Sequence, residues 1–287
     1  MEIEYFLRPA FRYFCAMSLL KRLVEFYVFS NVHVALATSS LSLITMHYFG
    51  IVDELIPVFI FAATLVSYNF IRLYRRPELD TWFYHWITRH KKLLWALTVV
   101  GLLVLVYLAM KLKNEVLLLL FPLAALTFFY SVPLLGRTNL RSVPGLKLIL
   151  IATVWAVVTV FLPVIQYEIE FSKDLVIIFI QRVLFIAAIT LPFDIRDLKF
   201  DTASLKTIPQ VYGIQKTKKI GLVLLMFFVG LNFLKEVSQP YLRIEFIITL
   251  VSLGLLLRAT SDQNRYYSAF LVEALPIIWW LGILLSY

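Results

Sequence analysis

Nine apolar stretches, each close to the ~20 residues a helix needs to cross a bilayer, run near residues 28–49, 54–73, 93–111, 116–135, 146–167, 175–193, 218–234, 245–259 and 267–286. In hydrocarbon every backbone N–H and C=O must be bonded internally, and a helix does this within one segment. With 61% hydrophobic residues over 287 positions, the expectation is an all-α, polytopic membrane protein of about nine transmembrane helices. The stretch at 245–259 is the shortest, which leaves eight spans as an alternative.

Charge sets the expected orientation. Most of the 27 Lys and Arg residues fall at alternate turns of the chain: an N-terminal segment with Arg8, Arg12, Lys21 and Arg22, then 72–92, 136–147, 194–219 and 258–265. The positive-inside rule makes that side cytoplasmic, and the expected location is a bacterial inner membrane with the N-terminus inside. A net charge of +9 suits anionic lipid at that leaflet. No basic stretch carries a nucleic-acid-binding signature, so no nucleic-acid partner is expected. Charges interrupt any signal-peptide core in residues 1–27. That segment reads as an interfacial helix, with Phe6, Tyr13, Phe14, Phe26 and Tyr27 at the apolar boundary, ahead of a single transmembrane domain over 28–287. Cys15 is the only cysteine, which excludes an intrachain disulfide and a Cys-based metal site.

The cytoplasmic ends carry the chemistry. Asp194-Ile-Arg-Asp-Leu-Lys-Phe-Asp201 closes the sixth span, and Asp194, Asp197 and Asp201 at i, i+3 and i+7 share one helix face. Neighbouring carboxylates ~5 Å apart repel by roughly 3 kcal/mol at an intermediate dielectric, so a cation is required among them. Mg2+ is often held by one or two carboxylates together with a substrate phosphate, which points to a diphosphate site at the membrane surface. The second span ends in Asn69, Arg72 and Arg76 at the same spacing and the same face. A bundle can bring the two clusters together, one from each half of the chain. Tyr130-Ser-Val-Pro133, followed by Arg137 and Arg141, ends the fourth span at a proline.

These features resemble the UbiA superfamily of intramembrane prenyltransferases. The resemblance rests on Asp194 to Asp201 with the trailing Lys206-Thr207-Ile208-Pro209 and Gly213, on Tyr130-Ser131-Val132-Pro133-Leu134, on Asn31 in the first span, and on nine spans with cytoplasmic motifs. It implies a ring of nine helices around a central cavity. It also implies transfer of an isoprenoid group from a Mg2+-bound allylic diphosphate to a small, commonly aromatic, acceptor within the membrane. Two departures stand out. Asn69, Arg72 and Arg76, or in another register Phe70, Leu73 and Pro77 after a leading Asn69, occupy the places of the family's first Asp-rich motif, and Leu134 replaces a frequent lysine.

On this resemblance Asp194 and Asp197 ligate a single Mg2+, with Asp201 a further ligand. Arg72 and Arg76 clamp the diphosphate, as the guanidinium fork permits. Lys206 with Arg137 or Arg141 completes the charge balance, Asn31 and Asn69 contact substrate, and Tyr130 stabilises the carbocation. The alternatives are an inactive isoprenoid- or lipid-binding protein, in which the Asp and Arg clusters merely pair across the bundle, and a transporter. Arg182 and Glu273 lie inside apolar spans and are expected to pair with each other. His33 is expected at the interface, and Glu78 and Asp80 in a solvated loop. Residues 194–219 are expected to cap the site, with Thr207-Ile-Pro209 ending one helical piece and Gly213 allowing a turn before Lys216, Lys218 and Lys219.

Overall fold

A computed structural model describes residues 19–74, 81–133, 140–236 and 239–286, and no strand occurs among them. The helices are α1 (Leu19–Phe29), α2 (Val32–Tyr48), α3 (Leu55–Tyr74), α4 (Thr81–Ala109), α5 (Asn114–Ser131), α6 (Leu146–Gln166), α7 (Lys173–Asp197), α8 (Ile208–Gly230), α9 (Gln239–Arg258) and α10 (Leu275–Leu284). A π-helical segment, Tyr267–Val272, leads into α10. Eight helical segments are each long and apolar enough to cross a membrane, and α1 with α2 makes a ninth if the bent pair is one span. The expected polytopic all-α architecture is thus present. Phe6, Arg8, Arg12, Tyr13, Phe14, Cys15, Arg76, Glu78, Asp80 and Arg137 lie outside the described residues.

Local sequence explains the boundaries. Asn31 takes the left-handed conformation at φ 70°, which asparagine tolerates better than most residues, and there the chain bends 57° from α1 into α2. Ser172 caps α7 by accepting from the Leu175 N–H at 3.3 Å, a standard solution for the orphan donors of a helix start. At α8 the Thr207 N–H donates to Gln210 Oε1 at 3.0 Å, and Pro209 occupies the first turn, where its missing N–H costs nothing. The segment Thr207-Ile-Pro209 therefore starts a helix and does not end one. The turn expected at Gly213 is present as a kink inside α8, with φ 77° and ψ 163°. Other spans are longer than their apolar stretches: α4 begins at Thr81, not 93, and α9 has 20 residues.

Helices adjacent in sequence pack together from α5 through α9, α9 meets α10, and α10 returns onto α2, which packs on α3; α3 also meets α5 and closes the ring. The fourth helix lies against α3 and exposes Leu93, Trp95, Val99, Leu103 and Tyr107, an apolar face suited to lipid. Across the ring α2 touches α6, and Leu41, Ile44, Ala152, Ala156 and Phe185 join one buried cluster.

Although α2 is buried along much of its length, it is rich in hydroxyls. Thr38, Ser40, Ser42 and Thr45 each donate to a carbonyl three or four residues back, which satisfies them without water. Beside them the fully buried Arg182 donates to Leu41 O at 2.5 Å, Thr159 Oγ1 at 3.4 Å and Thr45 Oγ1 at 3.1 Å. It forms no ion pair with Glu273, contrary to the sequence expectation, because α7 turns it towards α2 and α6. His33 likewise is not interfacial: it is buried, bonded to Tyr27 OH at 2.7 Å and to the Phe270 carbonyl at 3.0 Å.

Close backbone approach is confined to a few places. A Cβ on Gly221 would stand 2.3 Å from Leu256 Cδ2 and 2.9 Å from Leu191 Cδ1, where α8 meets α9 and α7. Gly221→Val should therefore cost about 1–3 kcal/mol through overpacking, seen as a lower unfolding temperature in detergent. Gly254→Val, where a Cβ would meet nothing within 4 Å, should leave the temperature nearly unchanged.

Candidate functional site

The three motif carboxylates do share one face. Asp194 and Asp197 end α7, and the Asp201 N–H donates to Asp197 O at 2.8 Å, which continues the helical turn to the third carboxylate. The cation demanded by the cluster is Lys147, in the first turn of α6. Its Nζ lies 2.8 Å from Asp194 Oδ1, 3.3 Å from Asp201 Oδ2 and 3.9 Å from Asp197 Oδ2. The Lys147 side chain is 11% exposed, and those of Asp194 and Asp201 are 2% and 8% exposed, so water screens these pairs weakly. Two arginines complete the neutralisation: Arg196 Nε stands 2.7 Å from Asp197 Oδ1, and Arg141 Nη2 3.5 Å from Asp201 Oδ1.

Backbone contacts hold this arrangement. Gly145, at φ 73°, precedes α6, and its N–H donates to Leu205 O at 3.1 Å. That bond ties the start of α6 to the segment after Asp201. Gln210 Nε2 donates to Asp201 O at 3.2 Å and Thr202 O at 3.1 Å, linking the same segment to α8.

These donors do not fit the Mg2+ site implied by the resemblance. Among the described residues no group of three His, Cys, Asp or Glu side chains is placed to hold a metal ion. A divalent ion ~4 Å from the Lys147 ammonium would meet about 8 kcal/mol of repulsion at an effective dielectric of ~20. The carboxylates instead hold α6 and α7 together through ion pairs.

The second cluster lies at the same end of the ring. Asn31 Nδ2 donates to Asn69 Oδ1 at 2.7 Å, both residues fully buried, so these two predicted substrate contacts bond each other. The remaining amide atoms, Asn31 Oδ1 and Asn69 Nδ2, are buried without a hydrogen-bond partner. Arg72 donates to the Phe29 carbonyl and lies 5.0 Å from the Phe83 ring centroid. It also feels the Glu273 carboxylate and the Arg196 guanidinium. Glu273 in turn interacts electrostatically with both arginines and with Tyr68, and Tyr68 with Tyr130. Arg196, paired with Asp197 on one side and sensed by Glu273 on the other, connects the two clusters.

Asp194, Asp197 and Asp201 thus lie at or just after the end of α7, Asn69 and Arg72 lie in the last turns of α3 and Asn31 precedes α2, all at one end of the ring, and Tyr130, in the last turn of α5, is buried. Lys206 differs. It is exposed, left-handed at φ 47°, and its side chain has no hydrogen-bond or ion-pair partner among the described residues. Arg76 and Arg137 lie outside the described residues. Four residues were not anticipated in this role: Lys147, Arg196, Glu273 and Tyr68. Lys147 had a legible signal, a lysine just inside an apolar span at the Asp-motif end. Glu273 and Tyr68 had none, because their meeting depends on the return of α10 to α2.

Fold and site together define a polytopic helical membrane protein with a charged, partly buried cluster at one end of a helical ring. A solved structure of digeranylgeranylglyceryl phosphate synthase, a protein of membranes, has the same fold with a TM-score of 0.54; the match covers 93% of this chain and 98% of that one at 15% identity. No protein-family model matches the chain, and no curated protein matches it.

The Asn31–Asn69 bond has a direct test. Asn69→Leu leaves the Asn31 amide buried and unbonded, which should cost about 1–3 kcal/mol and lower the thermal midpoint in detergent. The Asn31→Gly/Asn69→Leu pair, which removes both amides and keeps the positive φ accessible, should recover part of that loss.

Proposed function

We propose that the chain binds a prenyl diphosphate at the Arg72–Arg196 end of the ring and transfers its isoprenoid group to a small acceptor within the membrane. The observation that carries this reading is that Arg72 and Arg196 lie within electrostatic range of each other, each beside an aromatic ring, at one end of a fold shared with digeranylgeranylglyceryl phosphate synthase. Guanidinium groups bind phosphate oxygens bidentately and keep their charge in a dry site. Arg72 beside Phe83, and Arg196 at 5.3 Å from the Phe193 ring centroid, would face the leaving diphosphate. The allylic C–O bond breaks with its electron pair leaving on the diphosphate, and the two arginines offset the developing charge. The carbocation lies near Tyr68 and Tyr130, whose ring faces attract positive charge, until a nucleophilic carbon or oxygen of the acceptor bonds to it and loses a proton. Apolar surfaces of the spans take the isoprenoid chain.

One observation favours a second reading, binding of an isoprenoid or lipid without turnover. All three motif carboxylates are already paired with Lys147, Arg141 and Arg196, the arrangement expected of a bundle held together by its charges.

A non-hydrolysable geranylgeranyl diphosphate analogue should bind the purified protein saturably. Arg72→Ala and Arg196→Gln should each weaken binding at least about tenfold, equivalent to ~1.4 kcal/mol, with folding checked by thermal midpoint. Release of diphosphate from geranylgeranyl diphosphate supports transfer. Binding without release selects the second reading, and absence of binding overturns both.

A further inference from the structure

We propose that Lys147 is a built-in counter-cation that replaces a divalent metal at the Asp194–Asp197–Asp201 cluster, so that this end of the ring works independently of metal. The proposal rests on the reading above only for the ligand the site takes. The placement of the ammonium itself is a property of the fold.

Three observations carry it. A shared divalent ion is drawn to the point where carboxylates converge, and Lys147 Nζ already stands there, within 3.9 Å of an oxygen from each of the three. Mg2+ demands near-octahedral oxygen ligands at about 2.0–2.1 Å, which the ammonium excludes by both volume and charge. Second, Lys147 is delivered by a fixed helix start. Gly145 turns the chain into α6, and its N–H is bonded to Leu205 O at 3.1 Å, which fixes the backbone of the first turn of α6, where Lys147 sits, beside the segment after Asp201. Third, the balance is complete without a metal. Without a ligand, Lys147, Arg141 and Arg196 match the three carboxylates in number, and a divalent ion added to them would leave an uncompensated excess in a poorly solvated site.

A fixed monovalent cation differs from Mg2+ in what it does. It cannot exchange and contributes no Lewis acidity, and it docks α6 onto α7 whether or not a ligand is present. Anion recognition then falls to Arg72 and Arg196 on the neighbouring side. Lys147 is accordingly a positioning residue: it holds the motif carboxylates and does not need to touch the ligand.

The test uses the full chain in detergent, with Mg2+ and its paramagnetic substitute Mn2+ as probes. For wild type, MgCl2 against EDTA should leave the thermal midpoint unchanged, and Mn2+ titration followed by electron paramagnetic resonance should show no stoichiometric bound ion. Lys147→Ala, which vacates the centre of the cluster, should gain Mn2+ binding and a midpoint rise of several degrees on adding Mg2+. Adding Asp194→Asn should abolish that gain, and Lys147→Arg should stay insensitive to metal. Stoichiometric Mn2+ binding by wild type that Asp194→Asn removes would overturn the proposal, as would a folded Lys147→Ala that gains no metal. If Lys147→Ala does not fold, the wild-type titration decides by itself. Because every arm reads metal and none reads turnover, the proposal can fail while the prenyl diphosphate reading stands, and the reverse.

Discussion

Hydrocarbon offers no hydrogen-bond partner, and the whole ring is organised by that deficit. Helices satisfy the backbone. The side chains are harder, because several polar groups lie deep in the bundle and each must find a partner on another helix or on its own preceding turn. The hydroxyls of α2 bond back to carbonyls three or four residues earlier. Arg182 borrows a carbonyl and a threonine from α2 and another threonine from α6. Asn31, at the α1–α2 bend, and Asn69, on α3, bond each other, and Lys147 takes three carboxylates. Interhelical bonds of this kind lock the register of α2, α3, α6 and α7, on which the relative placement of the site residues depends.

The two ends of the ring meet the same constraint differently. At the Asp-motif end, charges are numerous and shared among several partners. At the opposite end Lys235 and Glu245 form a pair at 3.3 Å with side chains only 2% and 4% exposed. Burial lowers the Lys235 pKa, and the Glu245 carboxylate opposes that shift. Between this pair, Arg182 and Trp279 lies a cavity of about 10 Å³, with room for about one water. Removing either partner from such a pair leaves a charge with neither water nor counter-ion, which makes this end rigid by comparison.

Much of the fold is legible in the amino-acid sequence. Apolar runs near twenty residues located the spans, although α4 and α9 extend beyond them because amphipathic and charged helical turns at Thr81–Lys92 and Gln239–Ile244 carry no apolar signal. The Asp194, Asp197, Asp201 face was readable from spacing alone, since a helical period fixes which residues share a side. The partners of Arg182 and Glu273 were not, and the mutual ion pair expected of them does not form. Both lie in apolar spans, but a one-dimensional pattern does not say which way α7 and the segment before α10 are rotated. Thr207-Ile-Pro209 illustrates a different ambiguity: a proline after a threonine marks a helix boundary, and only the direction of the Thr207–Gln210 bond shows it to be a start.

What the sequence by itself determined is a polytopic helical membrane protein with its charged motifs gathered at one set of helix ends. Those properties follow from local period, span length and the cost of charge in lipid, all of which are written along the chain. Only the tertiary structure decided which cation answers the three carboxylates, which amide answers Asn31, and that Glu273 comes within electrostatic range of Arg72 and Arg196. Each of these depends on helices far apart in sequence closing into one ring. In a medium without water, a polar side chain takes the partner that the packing places within reach.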